Sequence, residues 1–203
     1  MIEEDYQMKD RIRAVIRDRR NNLSEEVRDM CAGVLSDNLE EYIVDEMGLD
    51  LSRIKVASYM PVYGEISSLP FCRKVLDKGG CVMMPRVDGR DVRYYKIKSF
   101  DKGFVIGSFG IKEPDISLEE ADVRDADVII VPGIAYNDEG IRLGQGGGYF
   151  DRLWEHLGGD SPDRKSVIIG VCYDFQIMSS IPVDEKDMTV DVLFEVAAEE
   201  EES

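Results

Sequence analysis

VIIVPGIAYNDEGIRLGQGGGYFDRLWEHL, residues 128–157, holds a strand pattern, a glycine loop and a helix pattern in that order. Residues 128–131 are apolar and all β-branched, as in a strand buried on both faces. Pro132-Gly133 ends that run, and Asn137-Asp138-Glu139-Gly140 is turn chemistry. Gly144, Gly146, Gly147 and Gly148 lack Cβ atoms, so a ligand can approach the backbone closely. Phe150, Leu153, Trp154 and Leu157 recur at i, i+3, i+4 and i+7, one apolar helix face, and Gly158-Gly159 stops the helix. Asp151 falls in the first turn. Such an order can offer backbone N–H groups and a carboxylate to a phosphate and its metal. The loop carries neither G-x-x-x-x-G-K-[ST] nor G-x-G-x-x-G, because position 149 is Tyr. Local physics therefore leaves open both a phosphate site and a plain flexible loop.

Outward from this stretch, helical and strand patterns alternate. A helix is expected over 3–20, with Met8, Ile12, Val15 and Ile16 as its apolar stripe. A second opens after Ser24 as N-cap and runs to about Met47, ending near Gly48. Strands are expected over 54–58, 81–84 ending at Pro85, 92–97, 165–172 and 189–194, with a helix over 69–78. The alternation indicates a single α/β domain with a mainly parallel sheet. Ligands of such sheets sit outside the carboxyl ends of the strands, so 61–65, 85–86 and 132–136 should share one edge with the glycine loop. The domain is expected to span 1–196, followed by a solvated, disordered acidic tail over 197–203.

Composition narrows the function classes. With 42 acidic and 25 basic residues the net charge is −17, which argues against a nucleic-acid surface. No apolar run is long enough for a membrane span, and the charged start MIEEDYQMKDR does not read as a secretory signal. The four cysteines are widely spaced and read as free thiols in a reducing cytoplasm. His156 is the single histidine, which excludes a zinc site built on several histidines and reads as a helix-surface residue. A monomer acting on small molecules is expected.

Three other constellations carry chemistry. Between Lys9 and Arg20 stand six basic and two acidic residues, a local net of +4. Lys9, Arg13, Arg17 and Arg20 share a helix face, suited to an anionic ligand or merely solvated. Glu65 follows Tyr59-Met60-Pro61-Val62-Tyr63-Gly64, where it could accept from the ring N–H groups of a planar heterocycle stacked on its neighbours, or sit in a helix first turn. Asp187 and Asp191 could serve a hard cation such as Mg²⁺ or be loop acids.

Together these segments resemble the 5-formyltetrahydrofolate cyclo-ligase family, also called methenyltetrahydrofolate synthetase. The strongest match is Val131-Pro132-Gly133-Ile134-Ala135-Tyr136 with Arg142-Leu143-Gly144-Gln145-Gly146-Gly147-Gly148-Tyr149-Phe150-Asp151-Arg152. It corresponds to a signature VPG-(L/I)-A-F-D followed by G-x-R-L-G-x-G-x-G-Y-Y-D. Weaker matches are Lys9 to Arg13, Glu65, Met84-Pro85-Arg86, Gly110-Ile111-Lys112-Glu113-Pro114, Gln176, Pro182 and Asp187-Met188-Thr189-Val190-Asp191. The resemblance implies a three-layer α/β/α fold and an enzyme using ATP and Mg²⁺. It would convert 5-formyltetrahydrofolate to 5,10-methenyltetrahydrofolate, ADP and phosphate. The formyl oxygen attacks the γ-phosphate, and N10 then displaces phosphate from the imidate phosphate.

Carried over by position, Lys9, Arg142 and Tyr149 would be catalytic. ATP would lie on Lys9, Arg13, Arg142, Leu143, Gly144, Gln145, Gly146, Gly147, Gly148, Tyr149 and Phe150. The folate would meet Met60, Glu65 and the stretch from Gln145 to Tyr149, and Asp151 and Asp187 would bind Mg²⁺. The chain departs from the signature at Tyr136-Asn137 in place of Phe-Asp, at Phe150 in place of a second Tyr, and at Gln145 and Gly147, where some members are basic. A repurposed folate- or nucleotide-binding paralogue is the alternative. A sugar-phosphate isomerase or CoA-transferase-like enzyme on a similar scaffold is a more distant one.

Overall fold

The computed structural model describes residues 3–89, 91–107, 110–159, 161–182, 184 and 187–198. Helix α1 (Glu3–Asn22) carries acids in its first turn and arginines in its last, the charge order that suits the helix dipole. Helix α2 (Glu25–Glu41) is capped by Ser24, whose hydroxyl accepts from the Val27 N–H at 3.2 Å. A π-helical turn, Tyr42–Glu46, then closes it. Strand β1 (Lys55–Ala57), helix α3 (Leu69–Lys78), strands β2 (Cys81–Asp88) and β3 (Asp91–Ile97) follow. Next come β4 (Phe104–Ile106), β5 (Lys112–Pro114), β6 (Glu120–Ala121), β7 (Val128–Pro132), β8 (Ala135–Tyr136) and β9 (Arg142–Leu143). Helix α4 (Tyr149–His156), β10 (Val167–Tyr173) and β11 (Val192–Val196) complete the order.

The main sheet runs β11-β10-β7-β1-β2-β3-β6. Its first five strands are parallel; β3 pairs antiparallel with β2, and β6 antiparallel with β3. Side-chain alternation along β7 supplies both layers. Val128 and Ile130 join Leu35 of α2 and Phe71 of α3 on one face. Ile129 and Val131 join Leu153 and Trp154 of α4 on the other. This is the expected α/β/α arrangement.

Helix α1 belongs to neither layer. Ile12 and Ile16 pack on Ile134, Ala135 and Leu143, so the helix lies across the loops that follow β7. Burial of each isoleucine contributes roughly 1.5–3 kcal/mol. The expected stripe is corrected in part. Met8 and Val15 are exposed, and the buried face is Lys9, Ile12, Ile16 and Arg20. At 100° per residue Met8 and Val15 lie roughly a quarter-turn from the centre of that face.

A second correction concerns Pro85, which does not end β2. The Met83 carbonyl accepts from the Ser58 N–H at 3.0 Å, so backbone polar groups of odd-numbered residues here point toward β1. The β1 ladder stops opposite Met83, so no ladder bond needs the N–H that Pro85 lacks. β2 continues to Asp88, paired with β3.

The last strand is displaced from 189–194 because the Asp191 carboxylate accepts from the Ile168 N–H at 2.7 Å and pairs with Arg164. Asp191 is thus a structural acid. Cys31, Cys72 and Cys172 are buried, Cys81 is half-buried, and all four thiols are free. Burial pushes the Cys72 thiol up to about 11. His156 is exposed at the end of α4. Ala197 and Ala198 are held by Cys31 and Asp174, while residues 199–203 of the expected tail lie outside the described residues.

The sheet order places the site. Strand β1 has β2 on one side and β7 on the other. The β1-α3-β2 crossover covers one face and β7-α4-β10 the other. The loops leaving β1 and β7 therefore diverge, opening a crevice at the carboxyl ends of the strands.

Candidate active site

The glycine loop is held from below by β9. Asn137 Oδ1 accepts from the N–H groups of Glu139 (3.1 Å) and Ile141 (2.8 Å), turning the chain into that strand. An aspartate could accept the same bonds, so the Asn in place of Asp keeps the turn. Tyr136 is wholly buried and donates to the Val131 carbonyl at 2.9 Å. Gly133 and Gly170 leave room for its ring.

Arg142, 3% exposed, is fixed on three sides. Its Nε donates to the Pro132 carbonyl at 2.6 Å, Nη1 lies 3.4 Å from Asp151 Oδ1, and the guanidinium stands 4.7 Å from the Phe150 ring centroid. Phe150 keeps the ring face and lacks only the hydroxyl of a Tyr. Gly148 opens α4 with φ +66°, a left-handed conformation that glycine adopts without a Cβ penalty.

The basic face of α1 is docked on this loop. Lys9 Nζ lies 2.9 Å from Asp187 Oδ2. Arg13 Nε donates to the Gly144 carbonyl at 3.0 Å. Arg17 grips Gln145 twice, Nε on the side-chain Oε1 and Nη2 on the carbonyl, both at 3.0 Å. Arg152 takes the Gly147 carbonyl at 3.1 Å. Guanidinium groups thus occupy three loop carbonyls. The N–H groups of 145–148 donate no backbone hydrogen bond among the described residues, which is the donor set an anion needs.

Glu65 enters from the β1 side, on a loop and not in a helix. Tyr63 (φ +50°) and Gly64 (φ +70°) form a left-handed pair that swings its carboxylate inward. Oε2 accepts from the Val62 N–H at 3.1 Å and Oε1 from Gln145 Nε2 at 3.0 Å, with Arg20 Nη1 3.9 Å away. At 8% exposure, burial pushes the carboxyl above its ordinary value, against the pull of Gln145, Arg20 and the Val62 N–H.

A Cβ on Gly64 would stand 2.8 Å from the Arg20 carbonyl oxygen. Gly64→Ala is therefore expected to cost at least about 1–2 kcal/mol from its φ alone, and more from the backbone clash. A urea midpoint within error of wild type would contradict this.

These walls enclose a cleft of about 340 Å³. Of the candidate residues, Met60, Glu65, Arg142, Gly144, Gln145, Gly147, Gly148, Tyr149, Phe150 and Asp151 line it. Lys9, Arg13 and Asp187, and Gly146 within the loop, do not line it. Leu143, 2% exposed, packs with Ile12 and Ile16 as core, so its side chain does not reach the cleft. Sequence reading missed Arg17 as a lining residue, although it shares the basic face. It also missed Val87 and Val92 of the β2–β3 hairpin, whose apolar alternation signals only a strand.

Asp151 and Asp187 each already face a cation, Arg142 and Lys9. Among the described residues no group of three or more His, Cys, Asp or Glu is gathered.

A family model described as 5-formyltetrahydrofolate cyclo-ligase matches residues 5–195. The chain belongs to the 5-formyltetrahydrofolate cyclo-ligase family. Its relatives within the family include the 5-formyltetrahydrofolate cyclo-ligase of Mycolicibacterium smegmatis, 28% identical over 187 residues, 90% of each chain. The cyclo-ligase of Saccharomyces cerevisiae is 26% identical over 158 residues, 68% of this chain and 74% of the yeast one. The solution structure of Aquifex aeolicus 5,10-methenyltetrahydrofolate synthetase superposes with a TM-score of 0.75 at 35% identity, covering 93% of this chain and 89% of that one. The resemblance carried by 131–152 therefore extends over the whole fold, and membership makes the chain an enzyme of the ligase class.

Proposed function

We propose that the cleft holds ATP and 5-formyltetrahydrofolate side by side and forms 5,10-methenyltetrahydrofolate, ADP and phosphate. The observation that carries this reading is Gln145: on one loop residue, Arg17 of the basic helix and the buried Glu65 meet. One short segment thus separates a cationic wall from an acid-bearing, largely apolar one. Phosphates suit the first, with Arg17, Arg142 and the loop N–H groups, while Lys9 and Arg13 hold that wall in place from outside the cleft. A pterin suits the second, its N–H groups toward Glu65 and its ring against Met60 and Phe150.

The attacking formyl oxygen, the γ-phosphate and the closing N10 all belong to the substrates. The protein's part is position and charge. Arg142 cannot swing away, so it presents a fixed cation where phosphoryl charge redistributes. Tyr149 at the head of α4 faces both substrates, and Lys9 fastens the Asp187 segment beside them.

Mg²⁺ takes one or two carboxylates and completes its shell with phosphate oxygens and water. Asp151 lines the cleft with its side chain 31% exposed, and among the described residues the hydrogen bonds from Lys9 Nζ and the Asp184 N–H to the Asp187 carboxylate fall on Oδ2. Asp151, on the cleft wall, therefore fits as the carboxylate that would hold the ion, with Asp187, which does not line the cleft, assigned as the second on the resemblance alone. The ion would neutralise phosphate charge. Asp151→Asn is expected to raise the Mg²⁺ concentration for half-maximal rate by roughly tenfold, about one lost charge-assisted contact. An unchanged Mg²⁺ titration would remove Asp151 from the assignment.

We read the protein as a single-domain cytoplasmic monomer. Four free thiols support the location. The decisive assay mixes the protein with 5-formyltetrahydrofolate and Mg-ATP and follows the near-ultraviolet absorbance of the methenyl product. Nucleotide and folate binding without that absorbance would leave the paralogue alternative standing.

A further inference from the structure

We infer that Arg152, with the groove it borders, binds one carboxylate of the glutamate carried by the folate substrate. The inference rests on the reading of the cleft as a folate site. Lys9, Arg13, Arg20 and Arg142 each have a carboxylate within 4.0 Å: Asp187, Asp10, Glu65 and Asp151. Arg152 has none among the described residues, in a chain of net charge −17. Arg17 and Lys112, which line the cleft, share this property; Arg17 is spent on Gln145 at the nucleotide wall, and Lys112 stands exposed on β5, outside the groove that Arg152 borders.

Arg152 is nevertheless well placed. Its guanidinium stands 4.9 Å from the Tyr149 ring centroid, Nη2 donates to the Gly147 carbonyl, and the buried Nε has no hydrogen-bond partner. A positioned guanidinium without a counter-charge is a ready bidentate partner for a carboxylate.

The surroundings say which anion this is. A groove of about 570 Å³ adjoins the cleft, and Val92, Tyr94, Tyr149 and Leu153 line both. It is bounded by β3, β6 and α4, and no residue of α1 lines it, so it opens away from the phosphate wall. A folate with its pterin at Glu65 must send its aryl-glutamate arm out of the cleft, and this exit carries a positioned arginine without a counter-charge among the described residues.

The other groove arginines are compensated, Arg93 by Asp88 and Glu120, Arg124 by Asp122. One uncompensated cation matches one carboxylate, and the acids around it disfavour a longer anionic chain.

The test pairs Arg152→Gln with two substrates, 5-formyltetrahydrofolate and 5-formyltetrahydropteroate, which lacks the glutamate. The variant should raise KM for the former about tenfold or more, the loss of one charge-assisted hydrogen-bonded contact. KM for the pteroate and for ATP should move less than twofold. Arg152→Lys should recover part of the loss, since it keeps charge without the planar fork. Equilibrium binding of the two folates without ATP should show the same contrast, independent of turnover. Equal losses for both folates, or a rise confined to ATP, would overturn the assignment. A wild-type protein that neither binds nor turns over 5-formyltetrahydrofolate would instead overturn the reading of the cleft itself.

Discussion

Arg142→Met is expected to lower kcat/KM by about 10²–10³-fold, the usual consequence of removing one preorganised charge from a transition state. Methionine fills similar length in a site that is 3% exposed, so the change removes chemistry more than volume. It takes away the cation that faces the cleft, the partner of the Pro132 carbonyl and the counter-charge of Asp151. Asp151 is part-exposed and re-solvates; the buried carbonyl does not. A stability loss of about 1–3 kcal/mol follows from that orphaned acceptor.

Most of the kinetic loss should appear in kcat, because the cation acts on charge that redistributes as the phosphoryl group moves. Arg142→Lys should restore part of kcat. Its ammonium keeps the charge but cannot hold Pro132, Asp151 and the Phe150 ring together. Initial rates with urea midpoints on the same samples separate the two effects. A rise in KM for ATP with kcat unchanged would make Arg142 a ground-state binding residue only.

Arg20→Met should produce the largest loss of stability, about 3–5 kcal/mol at neutral pH, because it leaves a buried carboxylate without its cation. Arg20 and Glu65 are almost wholly inaccessible. Burial already raises Glu65, and Arg20 is among the groups that oppose the rise. An acid whose folded pKa exceeds its unfolded value favours folding at pH below the unfolded pKa. That contribution is lost as pH climbs through the folded pKa. Removing Arg20 lifts the folded pKa further and enlarges this dependence. The deficit relative to wild type should therefore be smallest in acid and grow as pH rises past the ordinary glutamate range.

Urea midpoints at pH 5 and pH 8 test the trend. A deficit equal at both pH values would show that lost packing, not the uncovered charge, is responsible. Arg20→Met with Glu65→Gln should regain much of the stability, since removing both charges avoids the uncompensated one.

Where the sequence could be read residue by residue, the signal was local. The helix expected over 69–78 is Leu69–Lys78, and the strand at 128–131 is Val128–Pro132. Both follow from periodicity within a few residues. Boundaries failed where a neighbour decided them. Pro85 stays inside β2 only because β1 has already ended, and Met8 and Val15 face solvent because α1 turns Lys9 and Arg20 inward. The left-handed pair Tyr63-Gly64 had no place in the signature; its purpose becomes visible only where it presses on Arg20.

The sequence by itself determined the strand–glycine loop–helix unit, the basic face of α1 and Glu65 and Asp151 as groups able to do chemistry, with Arg142 named through the resemblance alone. These are properties of residue type and short spacing. Tertiary structure alone decided that Arg17 and Gln145, 128 positions apart, would meet, and that Gln145 would reach Glu65 across 80. It also decided that Leu143 would become core while Arg152 kept no counter-charge among the described residues. The physical reason is the sheet order: β1 lies between β2 and β7, so two loops distant in sequence diverge from one crevice. Helix α1 closes that crevice with two isoleucines and four cations, a contact that neither segment encodes alone.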